Sequence, residues 1–98
     1  MKHWMVALAG MVLARFATAQ ARFPDDVTRF IERRDACDHV RGEAPYDAAR
    51  RTFLEQQALK FCTGTDAELA ALRKKYQSDA AVSTKLDEYE AEIEPRRP

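Results

Sequence analysis

Two cysteines, Cys37 and Cys62, are the only cysteines in this 98-residue chain, and they restrict its fold more than any other feature. A disulfide requires two α-carbons within about 7 Å of each other. Each cysteine lies in or directly after a stretch whose apolar residues recur every three or four positions, which is typical of a helix. A fold that joins the two sulfurs must therefore bring two helices together at these points.

The start of the chain has the pattern of a secretory signal peptide. Lys2 and His3 precede an unbroken apolar run from Trp4 to Leu13, and Ala17-Thr18-Ala19 gives the small-x-small pattern of a cleavage site. A membrane span needs about 20 apolar residues, so this shorter run favours a cleaved signal over an anchor. We expect a signal peptide at residues 1–19, with cleavage after residue 19 or 21, and membrane contact only during export.

Charge and compartment narrow the class of partner. Lys2 and Arg15 leave with the signal peptide, so 14 basic residues remain against 16 acidic ones, with the signs interspersed. Nucleic acids need a concentrated basic face, and we expect no such partner. An exported chain lies in an oxidising compartment, and a small domain gains from a covalent link. The sequence therefore predicts a Cys37–Cys62 disulfide.

The rest of the chain reads as helices, with no strand-like alternation. The first begins around Pro24 and ends at Gly42, which we expect in a left-handed conformation. The second runs from Asp47 to Phe61. A capping box from Thr65 to Glu68 opens the third, in which threonine and glutamate satisfy free amides of the first turn.

The fourth helix is capped at Ser78-Asp79 and continues as far as Ile93. The predicted fold is all-α, a small bundle of about four short helices. It forms one domain at residues 22–94, followed by a disordered tail at 95–98.

Helical spacing also predicts the core. The expected inward residues are Val27, Phe30, Ile31, Ala36 and Cys37; then Tyr46, Ala49, Phe53, Leu54, Ala58, Phe61 and Cys62; then Leu69, Leu72 and Tyr76; then Val82, Leu86, Tyr89 and Ile93. Arg34 interrupts the first stripe, and we expect it to reach solvent or to pair with Asp38.

The disulfide constrains how the first two helices are joined. In a simple antiparallel hairpin Cys37 lies beside the start of the second helix, about 22 Å from Cys62 at its end. The connector 38–46 must then run back along the second helix, or the two helices must cross steeply. Such a connector reaches about 30 Å when extended, so closure is within its range.

No catalytic set is complete in this sequence. Cys37, His39 and Cys62, with Asp38 or Glu43, are ligand types for zinc or copper. Cys37 and His39 are two residues apart, however, and such residues point to different sides of a helix. We therefore predict no metal, no cofactor and no enzyme activity, and keep a metal-binding or redox role for Cys37, His39 and Cys62 as an alternative.

The polar residues Asp38, His39, Arg41 and Glu43 surround the turn at Gly42. One interpretation is a solvated turn in which His39 bonds a nearby carbonyl or aspartate. The other is a rigid polar patch, held by the adjacent disulfide, that contacts a partner. We take these four residues as the candidate interaction patch.

The stretches 30–43 and 60–66, which include Cys37-Asp38-His39-Val40-Arg41-Gly42-Glu43, resemble a group of short exported proteobacterial proteins without an assigned function. This resemblance implies a bacterial protein of the periplasm or the extracellular space. It supplies no activity.

The stretch 61–72, with a cysteine followed by Asp66-Ala67-Glu68-Leu69-Ala70-Ala71-Leu72, is similar to the lysozyme-inhibitor-type helical domains of bacterial envelopes. That similarity implies an alternative role in which acidic side chains enter a lysozyme cleft. The leading expectation is an exported, non-enzymatic helical protein that binds a protein or envelope component.

The disulfide hypothesis makes a paired prediction. Cys37→Ser and Cys62→Ser should each lower the free energy of unfolding by a similar amount, roughly 3.5 kcal/mol, because either change opens the same 25-residue loop. Thermal denaturation of the two variants and of the wild type measures the effect. Clearly unequal losses, or two free thiols on titration of the wild type, would contradict the shared bond.

Overall fold

The computed structural model describes residues 23–95 as four helices joined by short connections. The helices are α1 (Asp25–Arg41), α2 (Ala48–Cys62), α3 (Thr65–Lys75) and α4 (Ala80–Leu86), and residues 23–95 contain no strand. The all-α prediction is confirmed, and none of these helices is long and apolar enough to cross a membrane. The predicted signal peptide and the end of the predicted tail lie outside the described residues.

The hydrophobic core lies between α1, α3 and α4. Its buried members are Val27, Phe30, Leu69, Leu72, Val82, Leu86 and Tyr89. Phe30 meets Tyr89 edge to face, with ring centroids 5.4 Å apart, and the Tyr89 hydroxyl donates to Asp35 at 2.7 Å. All seven positions were predicted from helical spacing, and none of them comes from α2.

The predicted disulfide is present. Cys37 and Cys62 are bonded, and their α-carbons lie 5.0 Å apart. The end of α1 lies beside the second half of α2, since Val40 and Ala58 line one shallow depression. Residues 42–47 then run back along the first half of α2, which is the first of the two routes that the sequence allowed.

Two contacts hold this connector to α2. Glu43 forms an ion pair with Arg50, and Pro45 lines the same depression as Leu54. The first half of α2 therefore projects past the end of α1 and has the connector beside it. Leu54 is the one residue of α2 that is buried.

The predicted inward face of α2 is wrong in its first half. Tyr46 is 80% exposed and Phe53 is 45% exposed, and Ala49 is exposed as well. Their spacing suits a core, but they lie in the connector and in the first half of α2, past the end of α1. Ala58 and Phe61, in the half beside α1, are partly buried.

Arg34 is fully buried in α1, at the position where the stripe lacks an apolar residue. Its Nη2 donates to the backbone oxygen of Glu90 at 2.6 Å and lies 3.5 Å from the carboxylate of Asp66. Its Nε lies 3.6 Å from Asp38, which confirms the predicted pairing, and the side chain does not reach solvent. Arg34 therefore joins α1 to α3 and to the chain that follows α4.

α4 ends at Leu86, so the prediction that it continues to Ile93 is wrong. The chain turns there, and residues 87–95, called here the C-terminal segment, run back over α1 and α3. Tyr89 enters the core from the turn, and Ile93 is partly buried. Inside a helix the carbonyl of Glu90 would accept a hydrogen bond from an amide of the same helix. In this segment it accepts from the buried guanidinium of Arg34 instead.

The predicted capping box of α3 does not form. Thr65 lies inside the helix and donates its hydroxyl to a backbone oxygen at the end of α2. The carboxylate of Glu94 instead accepts from the amides of Gly64, at 3.0 Å, and Asp66, at 2.9 Å. A residue distant in sequence thus provides the side-chain cap at the start of α3, on the amides of Gly64 and Asp66 rather than on those of the predicted box.

Asp66 completes a reciprocal arrangement. Its carboxylate accepts from the amides of Ile93 and Glu94, at 3.0 Å and 2.9 Å. Each of the two acidic residues therefore binds the backbone of the other, and the C-terminal segment is fixed to the start of α3.

The left-handed residue is Gly64 rather than Gly42. Gly42 has φ −83°, because α1 ends in one further right-handed turn, with the amide of Glu43 bonded to the oxygen of Val40. Gly64 has φ 86° and allows the sharp reversal from α2 to α3.

The long-range cap can be tested by Glu94→Ala. We expect a loss of about 1 kcal/mol in the free energy of unfolding, because two amides at the start of α3 lose their acceptor. Urea denaturation measures it, with Glu32→Ala, an exposed carboxylate of α1, as the control. Equal stability of Glu94→Ala and the control would show that the cap contributes nothing.

Candidate functional site

The first part of the predicted patch faces the C-terminal segment. Arg41 donates to the carboxylate of Asp38 at 2.8 Å and lies 3.6 Å from that of Glu90. Asp38 also lies beside the buried Arg34. These two patch residues thus hold the end of α1 against the C-terminal segment, and their charges are paired within the chain.

The second part of the patch faces α2. Both carboxylate oxygens of Glu43 accept from Arg50, at 2.6 Å and 2.8 Å, in a bidentate pair. The hydrogen bonds from Arg50 hold the pKa of Glu43 below its usual value, and the charge of nearby His39 lowers it further. His39 itself is exposed. The four predicted residues therefore divide between two neighbouring surfaces.

Arg50 connects the ion pair to exposed aromatic rings. Its guanidinium carbon lies 5.0 Å from the centre of the Phe53 ring. The hydrogen bonds to Glu43 raise the pKa of Arg50, and the Tyr46 hydroxyl raises it further. Asp47 caps α2 by accepting from the amide of Arg50 at 2.7 Å, which fixes the start of the helix. We call Glu43, Tyr46, Arg50 and Phe53 the aromatic face.

Sequence reasoning placed these aromatic residues in the core because it considered their spacing alone. The signal that could have found them was the disulfide geometry. A connector that runs back along α2 leaves the first half of the helix without α1 beside it. Tyr46 and Phe53 then have to lie at the surface.

An apolar groove lies on another side of α2. It has a volume of about 380 Å³ and separates the second half of α2 from the C-terminal segment. Its apolar lining consists of Ala58, Leu59, Cys62, Ile93 and Pro95. Leu59 is 71% exposed along its edge, and Cys62 is partly exposed within it.

The cysteines offer no thiolate in this oxidised structure. Both sulfurs belong to the disulfide, and residues 23–95 contain no free cysteine. The same part of the chain contains no cluster of three or more His, Cys, Asp or Glu side chains that could hold a metal ion. Cys37, His39 and Cys62 are therefore not brought together as ligands.

The stretch similar to lysozyme-inhibitor-type domains lies at the start of α3. Asp66 binds the backbone of the C-terminal segment, and Glu68 accepts from Arg33 of α1 at 3.1 Å. The acidic side chains of this stretch thus hold elements of the chain together. The lysozyme-inhibitor alternative stays a prediction.

The aromatic face should depend on pH through Glu43. The pKa of this carboxyl is lower in the folded chain than in the unfolded one. Its pairing with Arg50 therefore stabilises the face fully above the unfolded pKa of about 4.3. The stabilisation is lost as the pH falls through the pKa of the folded chain. Carboxyl-carbon NMR titration should show Glu43 titrating below an ordinary glutamate. Arg50→Gln should raise its pKa toward the ordinary value, and no change in this variant would contradict the pairing.

Comparison of the chain with protein-family models, with curated proteins and with solved structures gives no match.

Proposed function

We propose that this protein is an exported, non-enzymatic binding protein of the bacterial envelope, and that its aromatic face contacts a partner protein. The observation that carries the proposal is the exposure of Tyr46, in the connector, and of Phe53, in the first half of α2, both of which lie outside the core. Aromatic residues and arginine are enriched where proteins contact each other. They also supply most of the binding energy at such contacts.

The rigidity of this face supports the same interpretation. Asp47 fixes the start of α2, Glu43 holds the guanidinium of Arg50 from one side, and the ring of Phe53 lies against the other. Binding to side chains that are already ordered loses less conformational entropy than binding to mobile ones. A partner would therefore meet a preformed surface.

Export is supported by two independent features. The first residues have the pattern of a signal peptide, and the disulfide suits the oxidising conditions of the periplasm or the extracellular space. A non-enzymatic role is supported by the pairing of Asp38, Arg41 and Glu43, whose charges serve to hold the connector and the end of α1.

The proposal predicts that Tyr46→Ser/Phe53→Ser loses its partner. Immobilised mature protein should recover a partner from periplasmic extract, and the double variant should recover at least about tenfold less of it. The reason is that truncating side chains that dominate a contact costs more than about 1.4 kcal/mol in binding free energy. Recovery is quantified by mass spectrometry. Circular dichroism of both proteins checks that the helices remain.

The matched control is Leu59→Ser, which removes a large exposed apolar side chain from another side of α2. It should recover the partner as the wild type does. His39→Ala tests whether the predicted polar patch extends the contact. Equal recovery by the double variant and by Leu59→Ser would rule out the aromatic face.

A further inference from the structure

The two sulfurs of the disulfide are unequally accessible. Cys37 is completely buried in α1, whereas Cys62 is partly exposed at the end of α2 and lines the apolar groove. A thiolate opens a disulfide only by reaching one of its sulfurs. The groove leads to Cys62, so Cys62 is the sulfur that an external thiolate attacks and Cys37 is the leaving group.

We propose that Cys62 is a thiol–disulfide exchange site for an external dithiol, and that opening the bond releases α2 from a core that stays folded. The attacking thiolate forms a mixed disulfide with Cys62 as the Cys37–Cys62 bond breaks. Cys37 leaves as a thiolate and takes a proton from water. The second thiol of the dithiol then displaces Cys62, so the protein gains two electrons and two protons while the dithiol becomes a disulfide.

The fold explains why release is local. None of the core residues belongs to α2, and Leu54 is the one residue of α2 that is buried. Besides the disulfide, α2 is linked to the rest of the chain by its packing beside α1, by the bond from Arg33 to the oxygen of Thr63 and by the bond from the Thr65 hydroxyl to the oxygen of Cys62. A helix of this length is marginal in water by itself, so α2 unfolds once released.

Release would remove the aromatic face as an ordered surface. This consequence rests on the proposed function, whereas the exchange at Cys62 and the release of α2 do not. The disulfide would then set whether the protein binds its partner, according to the supply of dithiol in its compartment.

Hydrogen exchange with mass spectrometry tests the release, with dithiothreitol as the dithiol. On reduction, protection in 48–62 should fall to that of an unstructured chain, while 65–86 should stay at least about tenfold better protected than 48–62 even though the lost bond lowers the free energy of unfolding of the whole domain. The Cys37→Ser/Cys62→Ser variant should show the same pattern without reductant. Loss of protection to the unstructured level in both regions, or unchanged protection in 48–62, would overturn the proposal.

Brief treatment with glutathione followed by alkylation identifies the attacked sulfur. Peptide mass spectrometry should find glutathione on Cys62 and the alkyl group on Cys37. Adducts mainly on Cys37, or equally on both, would overturn the assignment.

The binding consequence is measured separately. The wild type should recover its partner from periplasmic extract, and the double serine variant should recover about tenfold less. Recovery by neither protein, with 48–62 released as predicted, would overturn the proposed function and leave the exchange intact. Equal recovery by both would overturn the regulation alone.

Discussion

The structure depends on the burial of one positive charge. Arg34 is surrounded by the core, and burying an ionised side chain is costly unless it is paired and hydrogen-bonded. Its main acceptor is the backbone oxygen of Glu90, which is available because the chain has left its helical course after Leu86. The end of α4 and the path of the C-terminal segment therefore follow from the demand of Arg34 for an acceptor.

The same segment supplies the cap of α3. Glu94 and Asp66 bind each other's backbone amides, so the path that satisfies Arg34 also satisfies the first turn of α3. These contacts link α1, α3 and the chain after α4 into one unit. α2 contributes no residue to the core and is joined to this unit through the disulfide and through its packing against α1.

Local sequence patterns predicted the parts of this fold that local forces decide. The helices α1 and α2 begin and end within one residue of the prediction, and Asp79 caps α4 as expected, since capping and apolar spacing act over a few residues. The capping box from Thr65 to Glu68 did not form, because the N-cap of α3 is Gly64 and the carboxylate of Glu94, far along the chain, accepts from the amides of Gly64 and Asp66. The predicted extension of α4 to Ile93 was wrong for a related reason. The spacing of apolar residues carries no information about the buried guanidinium of Arg34, which needs the backbone oxygen of Glu90 as an acceptor.

The candidate site was predictable only in part. The polar residues from Asp38 to Glu43 do lie at the surface around the end of α1, but they face two different elements. The aromatic residues Tyr46 and Phe53 were placed in the core, because spacing along one helix does not say whether another helix lies beside it. The disulfide held part of that information, because its geometry allowed either a returning connector or a steep crossing of the first two helices, and the structure has the returning connector.

The separation of α2 from the core has a consequence for how such a protein can change. Substitutions at Tyr46, Arg50 or Phe53 remove no side chain from the core and alter its packing little. The proposed binding surface therefore occupies a different part of the chain from Arg34, Asp66 and Glu94, which hold the fold together. A change in one part leaves the packing of the other largely as it is, so the surface of this small domain is able to change in sequence independently of its core.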